Sequence, residues 1–487
     1  AETYRDGIKI DVSKYPNAKP QFSPRFGFNY KPFDDENGSL QIRGGTGLFT
    51  GTPPYVWISN QAGNNGVLFG DLNVRAVKDK NDNIISDGRP SLGFTGNMDT
   101  YKPAEGSATR SDIAITDPDF KYPSLWKSNI AADYKFGDGW VATVELLYSK
   151  DINAIYHDNI GLYRTEQFVN DGGAGNARPY YNGYYSDREG NQKAANHVVM
   201  LRNTSKGHSL YTTFQLQKNF VDGILKGLYL NGSYSFGQSR GVTDGTSSVA
   251  TSAWKYRAAL DGNAEEVGYT AGSFDGRLLL SASYTANWSK YAATSFGLIY
   301  QRYRPFRYSY CYNGDANGDS QFSNDLMYIP ANFDEVKDHL LPGDFDSQED
   351  AWKAMNAFIE QDPYLSKHRG EYAERNGAVA PFANQLDLSV SHDIKIYQKN
   401  GRSHTLRFSF NIANFLNLLN RNWGVVQTTV LGNQQYQFLT IPKGQGPSAA
   451  NNYTLKYTMA KDLDETFKDN LNDVSRWQMQ FGIKYIF

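Results

Sequence analysis

Between residues 315 and 325 the sequence reads DANGDSQFSND. Oxygen-bearing side chains stand at the first, third and fifth positions of this run: Asp315, Asn317 and Asp319. Gly318 permits the tight turn that such spacing needs, Gln321 offers a backbone carbonyl, and Asp325 adds a further carboxylate. Hard cations such as Ca2+ take roughly six to eight oxygen ligands from loops of this kind, so the spacing suits a structural calcium brace. The loop is atypical, because the bidentate acid usual at the twelfth position is replaced by Leu326, with Asp325 one place earlier. A solvated Asp/Asn/Gly turn is the alternative reading.

Just upstream, Tyr300, Tyr303, Phe306, Tyr308, Tyr310 and Tyr312 interleave with Arg302, Arg304 and Arg307. Amphipathic rings suit the aromatic belt at a membrane–water interface. The same run could line a vestibule in which arginines attract anionic groups or carbonyls, and Tyr303, Arg304, Arg307, Tyr308 and Tyr310 are the substrate-binding candidates. The Tyr180 to Tyr185 cluster allows the same two readings. No GxSxG, HExxH or P-loop pattern occurs, and no histidine has a nucleophile motif beside it, so no catalytic set is expected. Cys311, the single cysteine, can form neither an internal disulfide nor a cysteine-based metal site. Downstream, Ser347 and Asp350 resemble a capping box ahead of a short helix to Glu360. Its apolar stripe, Trp352, Met355 and Ile359 with Ala351 and Phe358, reads as packed on the loop's own core.

These residues must be held by other elements, and the pattern of those elements is regular. At the end of the chain Trp477, Met479, Phe481, Ile483, Tyr485 and Phe487 form an apolar row. The alternate positions are polar except for Gly482 and Ile486. A period of two with one greasy and one wet face is a strand set between lipid and water. Similar runs fill 25–30 with 40–43, 126–136 with 142–149, 210–216 with 228–236, 277–288 with 296–300, and 386–390 with 406–412. Short turns join each pair, including Gly137-Asp138-Gly139, Ser289-Lys290 and Lys399-Asn400-Gly401. Long irregular stretches separate the pairs, at about 50–123, 156–208, 238–275, 304–380 and 414–474.

Composition agrees. Of 487 residues, 34 are Tyr, 28 Phe and 45 Gly, and no apolar run is long enough for a membrane-spanning helix. The net charge of −2 gives no reason to expect nucleic acid as a partner. The fold class expected is all-β: a transmembrane antiparallel β-barrel over 1–487, with the long stretches as extracellular loops. About eleven strands are counted, and the last runs toward the periplasm, so the first also runs inward. An odd set of this kind is expected to be the C-terminal half of a barrel of about 22 strands, the size class whose lumen is plugged.

Longer segments carry a family resemblance. They are SPRFGFNYKP, DPDFKYPSLWKSNIAADYKFGDGWVATVELLYSKDINAI, NDLMYIP, YLSKHRGEYAERNGAVAPFANQLDLSV, NIANFLNLLNRNW and the terminal SRWQMQFGIKYIF. Together they resemble the barrel of TonB-dependent outer-membrane transporters of the Oar-like kind found in Bacteroidota. The resemblance implies energised import, without naming the substrate; the mixed charge and abundant aromatic residues are compatible with a peptide, glycan or chelate. It also implies contact with outer-membrane lipid and coupling to TonB through an N-terminal plug that is not in this chain; a structural or adhesive role for the long loops, alongside transport, would bring a surface lipoprotein lid as a further partner. The rivals are a passive porin-like channel, an outer-membrane enzyme, and an adhesive or structural barrel.

Overall fold

A computed structural model describes residues 4–65, 77–78, 84–85, 112–169, 178–185, 197–397, 403–431, 435–447, 453–459 and 465–487. Eleven long strands form one antiparallel sheet in chain order. They are β1 (Arg25–Asp35), β2 (Gly38–Thr50), β3 (Ser124–Phe136), β4 (Trp140–Asp151), β5 (Gly207–Asn219) and β6 (Leu228–Gly241). They continue as β7 (Arg277–Ser289), β8 (Ala292–Tyr303), β9 (Ala383–Tyr397), β10 (Ser403–Ala413) and β11 (Gln478–Ile486). A two-residue strand, Gly268–Tyr269, pairs with the end of β6. Neighbours in sequence are neighbours in space throughout: short turns enforce this within each hairpin, and the long connections return each hairpin beside the one before it.

Directly opposed residues share a face, so the register assigns every side chain. Leu280 opposes Tyr300, Ala282 opposes Leu298, and Tyr284 opposes Phe296 on one face of β7 and β8. The same face carries Ile130 and Tyr134 of β3, Val144 and Leu146 of β4, and Phe481 and Ile483 of β11, all exposed. The opposite face is polar: Gln301 opposes Gln385, Ser295 opposes Ser391, and Asp393 opposes Arg407. One greasy and one wet face leave no room for a core inside the sheet, and the chain buries its apolar residues elsewhere.

The turns match their residue types. Gly137 and Gly139 take positive φ between β3 and β4. A Cβ on Gly139 would also lie 2.4 Å from the Asn219 carbonyl oxygen, so only glycine fits there. The expected turn at Lys399-Asn400-Gly401 lies outside the described residues.

The core sits in the stretches read from the sequence as irregular, and these hold ordered structure. The 50–123 stretch contains helix α1 (Tyr55–Gly63) and strand Ile113–Thr116. Its parallel neighbour Val198–Thr204, within the 156–208 stretch, pairs on the other side with Ala154–Asn159, which straddles the start of that stretch. Helix α2 (Ala250–Lys255) follows β6. These strands are buried on both faces, so they lack the alternation that marks a half-buried strand.

A second and larger core joins the 304–380 and 414–474 stretches. Helix α3 (Gln348–Gln361) forms as expected, with the Ser347 hydroxyl accepting the Asp350 N–H at 3.1 Å. It buries Ala351, Met355, Phe358 and Ile359 against Tyr308, Tyr310, Tyr436 and Phe438. Two parallel pairings tie the stretches together: Ser309 and Tyr310 with Gln435 and Tyr436, and Leu340 and Leu341 with Leu455 and Lys456. The long connections are therefore a packed cap at one end of the sheet.

Candidate functional site

The 315–325 run forms a tight loop held by its own side chains. The Asp315 carboxylate accepts the backbone N–H groups of Gly318 at 2.6 Å, Ser320 at 2.8 Å and Asn317 at 3.2 Å. Asn317 Oδ1 accepts the Asp319 N–H, and Asp319 Oδ1 accepts the Gln321 N–H. Gly318 has φ +81° and its backbone lies against Tyr181, whose carbonyl oxygen would be 2.2 Å from an added Cβ. Asp325 accepts the Ala316 N–H at 2.8 Å and a hydrogen bond from Arg178 at 3.0 Å.

The electrostatics of this loop are unbalanced. Asp319 and Asp325 are fully buried, and Arg178 answers Asp325 directly. Burial first, and then the charges of Asp325 and Asp315, push the Asp319 carboxyl well above the ordinary carboxylate range. Burial also raises Asp315, against the pull of its backbone donors. The donor set is all oxygen, which fits a hard cation. Among the described residues no three acidic, imidazole or thiol groups converge as a ready cage. A cation here would therefore draw on the Asn317 amide and the Gln321 carbonyl beside the carboxylates.

The tyrosine–arginine run does not act as one unit. Tyr308 and Tyr310 lie inside the cap core, with their hydroxyls 3.3 Å apart, and Tyr310 donates to the buried Asp362 at 2.6 Å. They face neither lipid nor a vestibule, which corrects the expectation for both. Their alternation is that of the short strand Arg307–Tyr310, covered on both sides by the cap. Tyr303 ends β8 and donates to Gln385 at 3.2 Å. Arg304 sits over the Phe382 ring at 4.2 Å and donates to the Ala380 carbonyl at 2.7 Å. Arg304 and Arg307 share one acid, Asp275.

Arg307 instead joins two arginines that sequence reading passed over. Arg257 and Arg375 line the same cavity of 420 Å³, together with Ser309, Asn376, Gln435 and Asp244. Nothing local marks Arg257 or Arg375, because each lies in a stretch without periodicity and only the folded cap brings them together. The polar face of the sheet carries ion pairs of its own. Arg43 donates to Asp133 at 2.8 Å, and Arg407 holds Asp393 with two bonds of 2.6 and 2.8 Å.

A family model described as "Outer membrane beta barrel domain" matches residues 6–452. The chain belongs to this family. The exposed apolar face of the eleven-strand sheet is thus the lipid side of an outer-membrane β-barrel domain, and the polar face is its inner side. No curated protein matches the chain. Among solved structures it is similar to the ferric enterobactin receptor PfeA of Pseudomonas aeruginosa, with TM-score 0.37, 9% identity, and coverage of 85% of this chain and 37% of that one. It is similar to the outer membrane transporter YddB of Escherichia coli, with TM-score 0.36, 10% identity, and coverage of 91% and 38%. The FrpB iron transporter of Neisseria meningitidis gives TM-score 0.29, 7% identity, and coverage of 80% and 39%. The chain spans less than two fifths of each of these structures.

Proposed function

We propose that this barrel domain is the C-terminal part of the wall and cap of an Oar-like, TonB-dependent transporter that imports a peptide, glycan or chelate across the outer membrane. The observation that carries the reading is the open sheet. β1 pairs with β2 alone, and β11 with β10 alone, among the described residues. A sheet edge left unpaired in hydrocarbon costs several kcal/mol per backbone group, so a wall in lipid has to close. Eleven strands are half of the roughly 22 that enclose a plugged lumen. The quoted motifs support the Oar-like assignment, and the packed cap suits ligand capture at the long-loop end.

The full gene product tests this. Its intact mass from outer membranes should be about twice that of this chain, and uptake should stop when TonB is deleted. A passive porin instead predicts an unplugged conductance in planar bilayers and no TonB dependence. The reading assigns the chain no catalytic step. It leaves the surface lipoprotein lid as a partner to be sought by co-purification.

The same reading assigns Ca2+ to the loop of Asp315, Asn317, Asp319, Gln321 and Asp325 as a brace for the cap. Support comes from the surplus of buried carboxylate over guanidinium there.

A further inference from the structure

We propose that the cap cavity walled by Arg257, Arg307 and Arg375 binds an oxyanion-bearing small ligand, carboxylate or phosphate. The inference deepens the import reading by naming the chemistry of what the cap holds, and it rests on that reading for its place in transport.

The cavity measures 420 Å³, within the range of small-ligand sites. Its three guanidinium residues are only 6, 7 and 4% exposed. Backbone carbonyls hold each of them in place. Arg257 donates to the Ala264 carbonyl at 3.0 Å and to that of Gly262, and Arg375 donates to Gly241, Val242 and Gly268. Arg307 donates to the Ser273 carbonyl at 2.9 Å, to the Asn376 carbonyl at 3.1 Å, and to Asp275.

Carbonyls satisfy donors but neutralise no charge. Among the described residues Arg307 alone of the three has a carboxylate in ion-pair contact. The Nε–H groups of Arg257 and Arg375 are buried without an acceptor. The nearby carboxylates Asp244 and Glu266 offset part of this charge from a distance, but neither makes an ion pair with Arg257 or Arg375 among the described residues. Asp244, on the wall, accepts the Ala271 N–H at 2.9 Å and the Asn376 amide at 3.2 Å. Glu266 accepts the N–H groups of Leu260 and Asp261.

The positive charge is felt within the wall itself. Burial is the main cause that lowers the pKa of all three arginines; Arg257 adds to the effect on Arg375, which falls to about 10, while Glu266, Glu374 and Asp244 pull the other way without cancelling it. An oxyanion in the cavity relieves that repulsion. Planar guanidinium groups match carboxylate and phosphate oxygens in pairs. The Ser309, Asn376 and Gln435 side chains add neutral hydrogen-bonding groups to the lining. The arginines also clamp the cap's loops, and that role is compatible with binding because the clamping contacts fix the groups before a ligand arrives.

The test is calorimetric titration of the intact purified protein in detergent at low salt. Inorganic phosphate and N-acetyl-aspartate serve as separate probes, so the tighter one identifies the source of the oxyanion. Saturable one-to-one binding of at least one probe is expected. Arg375→Gln should abolish it. Because that change also cuts three backbone contacts, Gln435→Glu is the companion variant: it adds a carboxylate to the wall and leaves every arginine clamp intact. A loss of at least tenfold in affinity is expected for Gln435→Glu. No saturable binding of either probe, or unchanged affinity in Gln435→Glu, overturns the proposal. Neither result depends on transport, so failure here is distinct from failure of TonB-dependent uptake.

Discussion

Replacing Phe358 with alanine should melt the cap and spare the wall. Phe358 is 1% exposed, on the inner face of α3. Its ring lies 5.1 Å from that of Phe438 and 6.0 Å from that of Tyr436, both from the other long connection. A buried aromatic side chain removes about 150–250 Å² from water. At about 25 cal/mol per Å² this is about 4–6 kcal/mol, an upper bound because the unfolded chain is partly collapsed. Phe→Ala changes in cores cost roughly 3–5 kcal/mol, which closes on about 4 kcal/mol. The sheet buries none of its stability in this core, so the loss should stay local. Hydrogen exchange reads it directly: amides of α3 should lose roughly three decades of protection, while those of β7 and β8 keep theirs. Unchanged protection in α3, or equal loss in β7 and β8, would refute the division into a packed cap and a lipid-backed wall.

Three other outcomes follow from the same physics. Leu298, at the middle of β8 and 39% exposed, faces lipid, so Leu298→Arg should destabilise the inserted barrel by about 2–4 kcal/mol, whereas Ser295→Arg on the inner face should cost far less; equal effects in a bilayer unfolding titration would reverse the assignment of faces. Burial and then the charge of Arg257 hold His157 at about 4. Above pH 6.5 its imidazole is neutral whether folded or not. Between 6.5 and about 4 the unfolded chain takes up a proton that the fold refuses, so stability should fall by about 3 kcal/mol as pH drops, and His157→Asn should flatten that slope in acid melts. Ca2+ at a hundred times its Kd should stabilise the protein by about 2.7 kcal/mol, more at pH 8 than at pH 5 because the cation needs Asp319 ionised, and Asp319→Asn should remove the gain; identical melting in Ca2+ and in chelator would dismiss the brace.

The wall was legible because a membrane strand displays its environment in its residue order. Leu278, Leu280, Ala282 and Tyr284 against Arg277, Leu279, Ser281 and Ser283 already separate the two faces, with Leu279 the exception. Helix α3 was legible for a similar reason, since Ser347 and the stripe through Met355 and Ile359 mark its start and its buried side. The cap as a whole was not. Its strands, such as Val198–Thr204 and Arg307–Tyr310, are covered on both faces or very short, and the partners that bury them lie far away in the chain. The same cause hid Arg257 and Arg375, and it made Tyr308 and Tyr310 look like interface rings rather than core. The tight turn of the acidic loop was legible in its Asp/Asn/Gly spacing, but Arg178 opposite Asp325 comes from a separate stretch and leaves no mark on that spacing.

The parallel pairings across the cap also bear on the order of events during folding. Ser309 and Tyr310 meet Gln435 and Tyr436, and Leu340 meets Leu455, across more than a hundred residues of chain in each case. The β9–β10 hairpin lies between those segments, so neither pairing closes a short loop until that hairpin is made. Contacts this distant carry a large closure entropy, and topologies rich in them fold slowly. The hairpins of the wall are local and fast by comparison. The cap is therefore the last part of the domain to set, and it sets only after the wall has brought both of its halves to the same end. A lesion in a wall hairpin should show first as a late, protease-sensitive cap, well before the strands themselves are lost.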